Sequence, residues 1–156
     1  MKRVVITGMG IYSCLGNGLD AVRDSLYNGV SGIVFDQVRK DMGFRSALTA
    51  KLEVPELKGI LSRSQRVYMP EQAKYAYVAT AEALKNAGVD QDYLDSHEVG
   101  LMYGNDSSAE PVYKSIQTML DKKDTTLVGS GAIFQSMNST VTMSLSCIFR
   151  LKGMNL

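Results

Sequence analysis

The stretch Arg3-Val4-Val5-Ile6-Thr7-Gly8-Met9-Gly10 decides how the rest of the chain is read. Its β-branched, largely apolar run predicts a strand buried on both faces, ended in a turn by Gly8. Gly10, Gly16 and Gly18 punctuate the loop that follows. From Asp20 to Tyr27, Val22, Leu26 and Ala21 fit one helix face, which Asn28-Gly29 closes. The chain therefore opens strand, loop, helix. Between Ser31 and Gln65 the pattern is irregular, with turn residues around Pro55 and Gly59, and predicts a surface excursion rather than a core layer. Pro70 at a first helical position and Ala73, Tyr77, Thr80, Ala81, Leu84 and Ala87 on one side predict a packing helix ended by Gly88. Its alanines allow close approach of a neighbouring backbone.

Val99 to Tyr103 is a second short apolar run, so the order strand, helix, helix, strand points to α/β layering with parallel strands. The polar loop Asn105-Asp106-Ser107-Ser108-Ala109-Glu110-Pro111 follows it, where ligands tend to sit in such folds. Val112, Ile116, Met119 and Leu120 predict a further helix. Met137, Val141, Leu145 and Ile148 predict a last one, whose many serines and threonines have poor helix propensity and imply tight packing of small side chains. Met154-Asn155-Leu156 reads as the beginning of another strand. A chain that stops as a strand starts is expected to be part of a longer one.

Composition narrows the function classes. The 156 residues carry 17 lysines and arginines against 16 aspartates and glutamates, a balance that argues against bulk attraction to nucleic acid. The opening apolar run is too short for a signal-peptide core or a membrane span, so a cytoplasmic location is the expectation. The two cysteines, Cys14 and Cys147, lack CxxC or histidine company, and neither a metal site nor a disulfide framework is suggested. His97 is the only histidine, so chemistry needing two imidazoles cannot be completed within these residues. The dinucleotide fingerprint G-x-G-x-x-G, begun at Gly8 and Gly10, fails at Ser13, leaving those glycines to tight backbone geometry. Cys14 reads as a loop cysteine for which only His97 could serve as a base, Cys147 as a small buried hydrophobe, and His97 as a solvated surface residue, so neither thiol is taken as catalytic. Arg63 and Arg66, with Lys58 nearby, form one basic cluster, and Lys122 and Lys123 another. Such clusters are either solvated faces or docking points for an acidic partner.

The opening KRVVITGMGIYSCLGNG closely resembles the start of the β-ketoacyl-acyl carrier protein synthases, and the similarity continues through GVSGI (29–33), KDMGFRS (40–46), LSRSQR (61–66), ALKNAGVD (83–90), VGLMYGN (99–105) and IFRLKGMNL (148–156). The resemblance implies the N-terminal half of a thiolase-like α/β fold, a mostly parallel sheet with packed helices, incomplete by itself. It implies decarboxylative condensation of an acyl thioester with malonyl-acyl carrier protein by the intact parent. That chemistry uses a cysteine just beyond Leu156 and two later histidines, so no catalytic residue is expected here and the chain alone is expected to be inactive. Ser107 and Ser108 match the loop lining the acyl pocket, where Asn105, Asp106 and Ser107 replace the family's glycines. Ile133, Phe134 and Met137 match a segment that reaches the pocket across a dimer interface. Arg63 and Arg66, and more loosely Lys122 and Lys123, match the region that meets the acidic carrier protein. No metal or redox cofactor is implied, and a homodimer is. The alternative is a non-catalytic partner subunit similar to the chain-length factors, with which the substituted loop is compatible; it would form a heterodimer.

Overall fold

A computed structural model describes residues 3–106 and 109–156. The chain divides into two compact units, residues 1–54 with 78–88, and residues 55–77 with 89–156.

In the first unit, β1 (Tyr12–Ser13) and β2 (Gly16–Asn17) form an antiparallel hairpin around Cys14 and Leu15, with Tyr12 opposite Asn17. Helix α1 (Leu19–Tyr27) follows directly. Its N-cap is Gly18, at φ 93°, a conformation that favours glycine but leaves no side chain to bond the first turn. The long helix α4 (Glu71–Ala87) supplies the missing cap. Glu82 accepts the amide of Leu19 on Oε1 at 2.8 Å and that of Ile11 on Oε2 at 2.9 Å. One turn on, Asn86 Oδ1 accepts the amide of Met9 at 3.1 Å. A carboxylate at a helix N-terminus is also favoured by the dipole. Glu82→Ala is expected to cost about 2 kcal/mol, because it leaves both amides unpaired. Glu82→Gln, which keeps one acceptor oxygen, should cost less. Hydrogen exchange at the Ile11 and Leu19 amides reads both outcomes.

Gly8 and Gly10 lie against the same helix. A Cβ on Gly8 would stand 2.4 Å from the Ala83 carbonyl oxygen, and one on Gly10 2.0 Å from that of Ala79. The close approach foreseen for this helix is therefore made here by Ala79, Ala83 and Ala87, a stripe at four-residue spacing rotated from the face that hydrophobic periodicity picks out. The excursion after Ser31 holds a second antiparallel ladder, β3 (Ile33–Phe35) with β4 (Leu48–Ala50). Between them lies the short helix α2 (Gln37–Asp41), capped by the Asp36 carboxylate. Strands this short carry no readable periodicity.

The predicted opening strand is not formed. Val4, Val5 and Ile6 are 96%, 72% and 84% exposed, and Arg3 to Thr7 have no ladder partner among the described residues. A run apolar on both faces becomes a strand only between neighbouring strands and under covering layers. The mostly parallel sheet is corrected accordingly: both two-stranded ladders are antiparallel.

Parallel pairing occurs in the second unit. Leu101 bridges Asn155 in parallel, and the amides of Leu101 and Tyr103 donate to the carbonyls of Met154 (2.7 Å) and Leu156 (3.0 Å). The two segments read from sequence as strands, 99–103 and 154–156, thus pair with each other. Around them lie α3 (Arg63–Arg66), the start of α4, α5 (Gln91–Ser96), α6 (Ala109–Lys122), a 3-10 turn (Thr125–Leu127), α7 (Ala132–Gln135) and α8 (Thr140–Phe149). The core centres on α8, where Thr140, Val141, Thr142, Ser144 and Leu145 are buried, together with Leu57, Met69, Ala73 and Leu94. Small side chains compensate for poor propensity by packing closely. The end of α8 is held by α5: Gln91 Nε2 donates to the Phe149 carbonyl at 3.0 Å, Arg150 pairs with Asp95 at 2.6 Å, and Lys152 donates to the Asp95 carbonyl.

Tyr77 stacks on Phe149 with centroids 5.5 Å apart, and burial pushes its phenol pKa up. The neutral phenol is therefore favoured by folding. Its contribution is fully present below the unfolded value of about 10 and is lost as pH rises through the higher folded value. Tyr77→Phe should flatten the fall of stability above that pH, measured by urea unfolding at a series of alkaline pH values.

Candidate functional site

The sequence LSRSQR encodes its own short helix. Ser62 Oγ accepts the amide of Gln65 at 3.3 Å while Gln65 Oε1 accepts that of Ser62 at 2.9 Å, a reciprocal capping box that starts α3. Arg63 projects into solvent, and Arg66 is half-buried, its Nε donating to the Leu61 carbonyl at 3.1 Å. The helix ends at Val67, whose carbonyl accepts Gln135 Nε2 at 2.8 Å and so ties α7 to this region. Beside that bond the rings of Tyr68 and Phe134 meet edge to face at 5.2 Å.

These elements enclose a mainly apolar cavity of about 440 Å³, lined by Ser64, Gln65, Tyr68, Phe134, Met143, Ser144, Cys147 and Ile148. Of the residues assigned to acyl binding from sequence, Phe134 lines it. Ile133 and Met137, on and just after α7, are 69% and 47% exposed and do not. Ser107 and Ser108 lie outside the described residues, although Asn105 in the same loop donates to the Asn138 carbonyl at 3.3 Å. Lys122 and Lys123 stand exposed at the end of α6, on a different helix from Arg63 and Arg66. Lys123 takes a left-handed turn conformation, φ 53°.

Sequence reading missed Tyr68, Met143, Ser144 and Ile148 as cavity walls. The apolar period of α8 gave the only signal: it marks the core face, which the cavity adjoins and shares at Ile148. Cys147 needs correction: it is exposed, not buried. The helix turns it away from Val141 and Leu145, which occupy the core. Cys14 sits in the β1–β2 turn, within the loop read from sequence. His97 is exposed and stacks on Tyr93 at 4.0 Å, its Nδ1 within 3.0 Å of the Tyr93 carbonyl and of Ser96 Oγ. Its local bonding accounts for it without catalysis. Among the described residues no group of three or more histidines, cysteines or acids could hold a metal, and no helix is long and apolar enough to cross a membrane.

The fold is shared with ketosynthases of known structure. A crystal structure of a β-ketoacyl synthase from Burkholderia phymatum STM815 superposes with a TM-score of 0.83 at 29% identity, over 98% of this chain and 38% of that one. The ishigamide ketosynthase/chain length factor, at 19% identity and a TM-score of 0.79, shares the fold over 97% of this chain and 38% of that one. In sequence, the 3-oxoacyl-[acyl-carrier-protein] synthase 1 of Buchnera aphidicola subsp. Acyrthosiphon pisum is 34% identical over 156 residues, 98% of this chain and 38% of the relative. The family model "Beta-ketoacyl synthase, N-terminal domain" matches residues 1–156. The chain belongs to that family, and it spans little more than a third of the length of these relatives.

Proposed function

We propose that these residues provide the framework, the carrier-protein docking face and part of the acyl pocket of a decarboxylating condensing enzyme acting in the cytoplasm on fatty-acyl or related thioesters. The observation that carries this reading is the unbroken family match over residues 1–156. In such an enzyme the bond-forming step needs an acyl thioester on a cysteine and donors that stabilise the developing oxyanion. Cys14 is in a hairpin turn and His97 is engaged by its own helix, so neither is assigned to that step. The chain alone should form no acyl-enzyme thioester and release no carbon dioxide from malonyl-acyl carrier protein. Condensation by the purified 156-residue protein would overturn the proposal.

Docking of the acidic carrier protein is assigned to Arg63 and Arg66, with Lys122 and Lys123 as a second contact. Arg63 is the clean test, since Arg66 also bonds the backbone of Leu61. Arg63→Glu should weaken carrier-protein binding about tenfold at low salt, with the difference shrinking as salt is added. Binding measured by fluorescence anisotropy at two ionic strengths decides it.

A dimer accounts for the outer face of α6. Val112, Ile116, Met119 and Leu120 form an apolar stripe at helical spacing and are 46%, 53%, 45% and 58% exposed. Covering this face with a second synthase-like subunit would remove it from water. The replacement of glycines by Asn105, Asp106 and Ser107 is compatible with a second reading, a chain-length-factor-like subunit in a heterodimer. Co-purification of the parent protein with itself or with a distinct synthase separates the two.

A further inference from the structure

The cavity beside α8 combines three features on one wall. The first is an apolar basin formed by Tyr68, Phe134, Met143 and Ile148, within the size range of small-molecule sites. The second is the hydroxyl of Ser144, a lining residue only 6% exposed whose Oγ has no hydrogen-bond partner among the described residues. A helical serine or threonine commonly donates to a carbonyl in the preceding turn, as Thr142 does to Ser139 at 3.0 Å. Ser144 does not, and a buried hydroxyl left unpaired is destabilising until something bonds it. The third is the thiol of Cys147, free, exposed and also lining the cavity. At i and i+3, Ser144 and Cys147 share a helix face and lie about 5–6 Å apart at their Cβ atoms.

We propose that the cavity is a recognition and modification site for apolar α,β-unsaturated carbonyl compounds, with Cys147 as the acceptor. The alkyl tail on the β-carbon lies against Tyr68, Phe134, Met143 and Ile148, and the carbonyl oxygen turns to Ser144. The Cys147 thiolate attacks the β-carbon, forming one S–C bond as the C=C π pair moves toward the carbonyl oxygen. Ser144 Oγ donates to that oxygen as its charge grows. The proton given up by the thiol returns through solvent to the α-carbon, so the addition has no leaving group and needs no oxidant or reductant. Cys14 is the internal control. It lies half-buried in the β1–β2 turn, its sulfur 2.5 Å from where a Cβ on Gly32 would stand, and it is not among the residues that line the basin.

The test exposes the 156-residue protein to two enones that differ only in the β-substituent, a hexyl or a methyl group, and locates adducts by peptide mass spectrometry. Each rate is divided by that of glutathione with the same enone, which removes intrinsic reactivity. Cys147 is expected to prefer the hexyl enone by about tenfold, from burial of the longer tail, with no such preference at Cys14. Ser144→Ala should slow the hexyl reaction at Cys147 about fivefold by removing the donor, while leaving alkylation of Cys147 by iodoacetamide unchanged. Equal normalised rates for the two enones, an equal chain-length preference at Cys14, or a Ser144→Ala protein that reacts like the wild type would each overturn the proposal.

Discussion

Gly10→Ala is expected to destabilise the first unit by about 3 kcal/mol, a drop of about 15 °C in its melting temperature. The added methyl would stand 2.0 Å from the Ala79 carbonyl oxygen and 2.7 Å from the Ala83 amide nitrogen. Both are backbone atoms of α4, so no rotamer change relieves the clash. The segment must lift from the helix, and as it lifts the bonds from Ile11 and Leu19 to Glu82 and from Met9 to Asn86 are lost with it. Hydrogen exchange should show the Ile11 and Leu19 amides losing protection together. Gly104→Ala is the matched control, since a Cβ there meets nothing within 4 Å among the described residues and the backbone is not left-handed. Its effect should stay within about 0.5 kcal/mol. If the two variants melt alike, the packing of the opening segment on α4 is wrong.

Leu145→Ala should cost the second unit about 3 kcal/mol, the transfer term plus the cavity it leaves. Leu145 is fully buried, as is Val141 one turn earlier. The chain contains no tryptophan, so urea unfolding is followed by far-ultraviolet circular dichroism. Leu120→Ala removes the same atoms from a side chain that is 58% exposed and should change stability by less than about 0.5 kcal/mol. A similar loss for both variants would mean that the α6 face is covered in solution, which the proposed dimer allows at high protein concentration only. Dilution separates the two cases.

Much of the architecture was legible from local pattern. Helices α1, α4, α6 and α8 announce themselves by apolar spacing and by their stops, because a helix satisfies its own backbone and needs only one buried stripe. The extended segments at 99–103 and 154–156 were legible as strands, while their pairing with each other came from the tertiary structure. Family membership was legible too, since it rests on motif wording spread along the chain. Arg63, Lys122 and Lys123 are exposed and Arg66 half-buried, and Phe134 lines a cavity, but the docking and acyl-binding roles given to these residues rest on the resemblance and not on the fold.

The sequence by itself determined the elements whose stability is local, and the family to which they belong. Tertiary structure alone decided the rest. Arg3 to Thr7 have the composition of a buried strand, yet a strand's hydrogen bonds belong half to its neighbours, and none of the described residues supplies one. Glu82 looks like an ordinary surface glutamate in an alanine-rich helix until folding brings two distant backbone amides to its oxygens. Ser144 and Cys147 look like routine members of a small-residue helix until α3 and α7 close an apolar basin beside them. In each case the deciding partner lies far away in sequence, and no local pattern encodes which partner it will be.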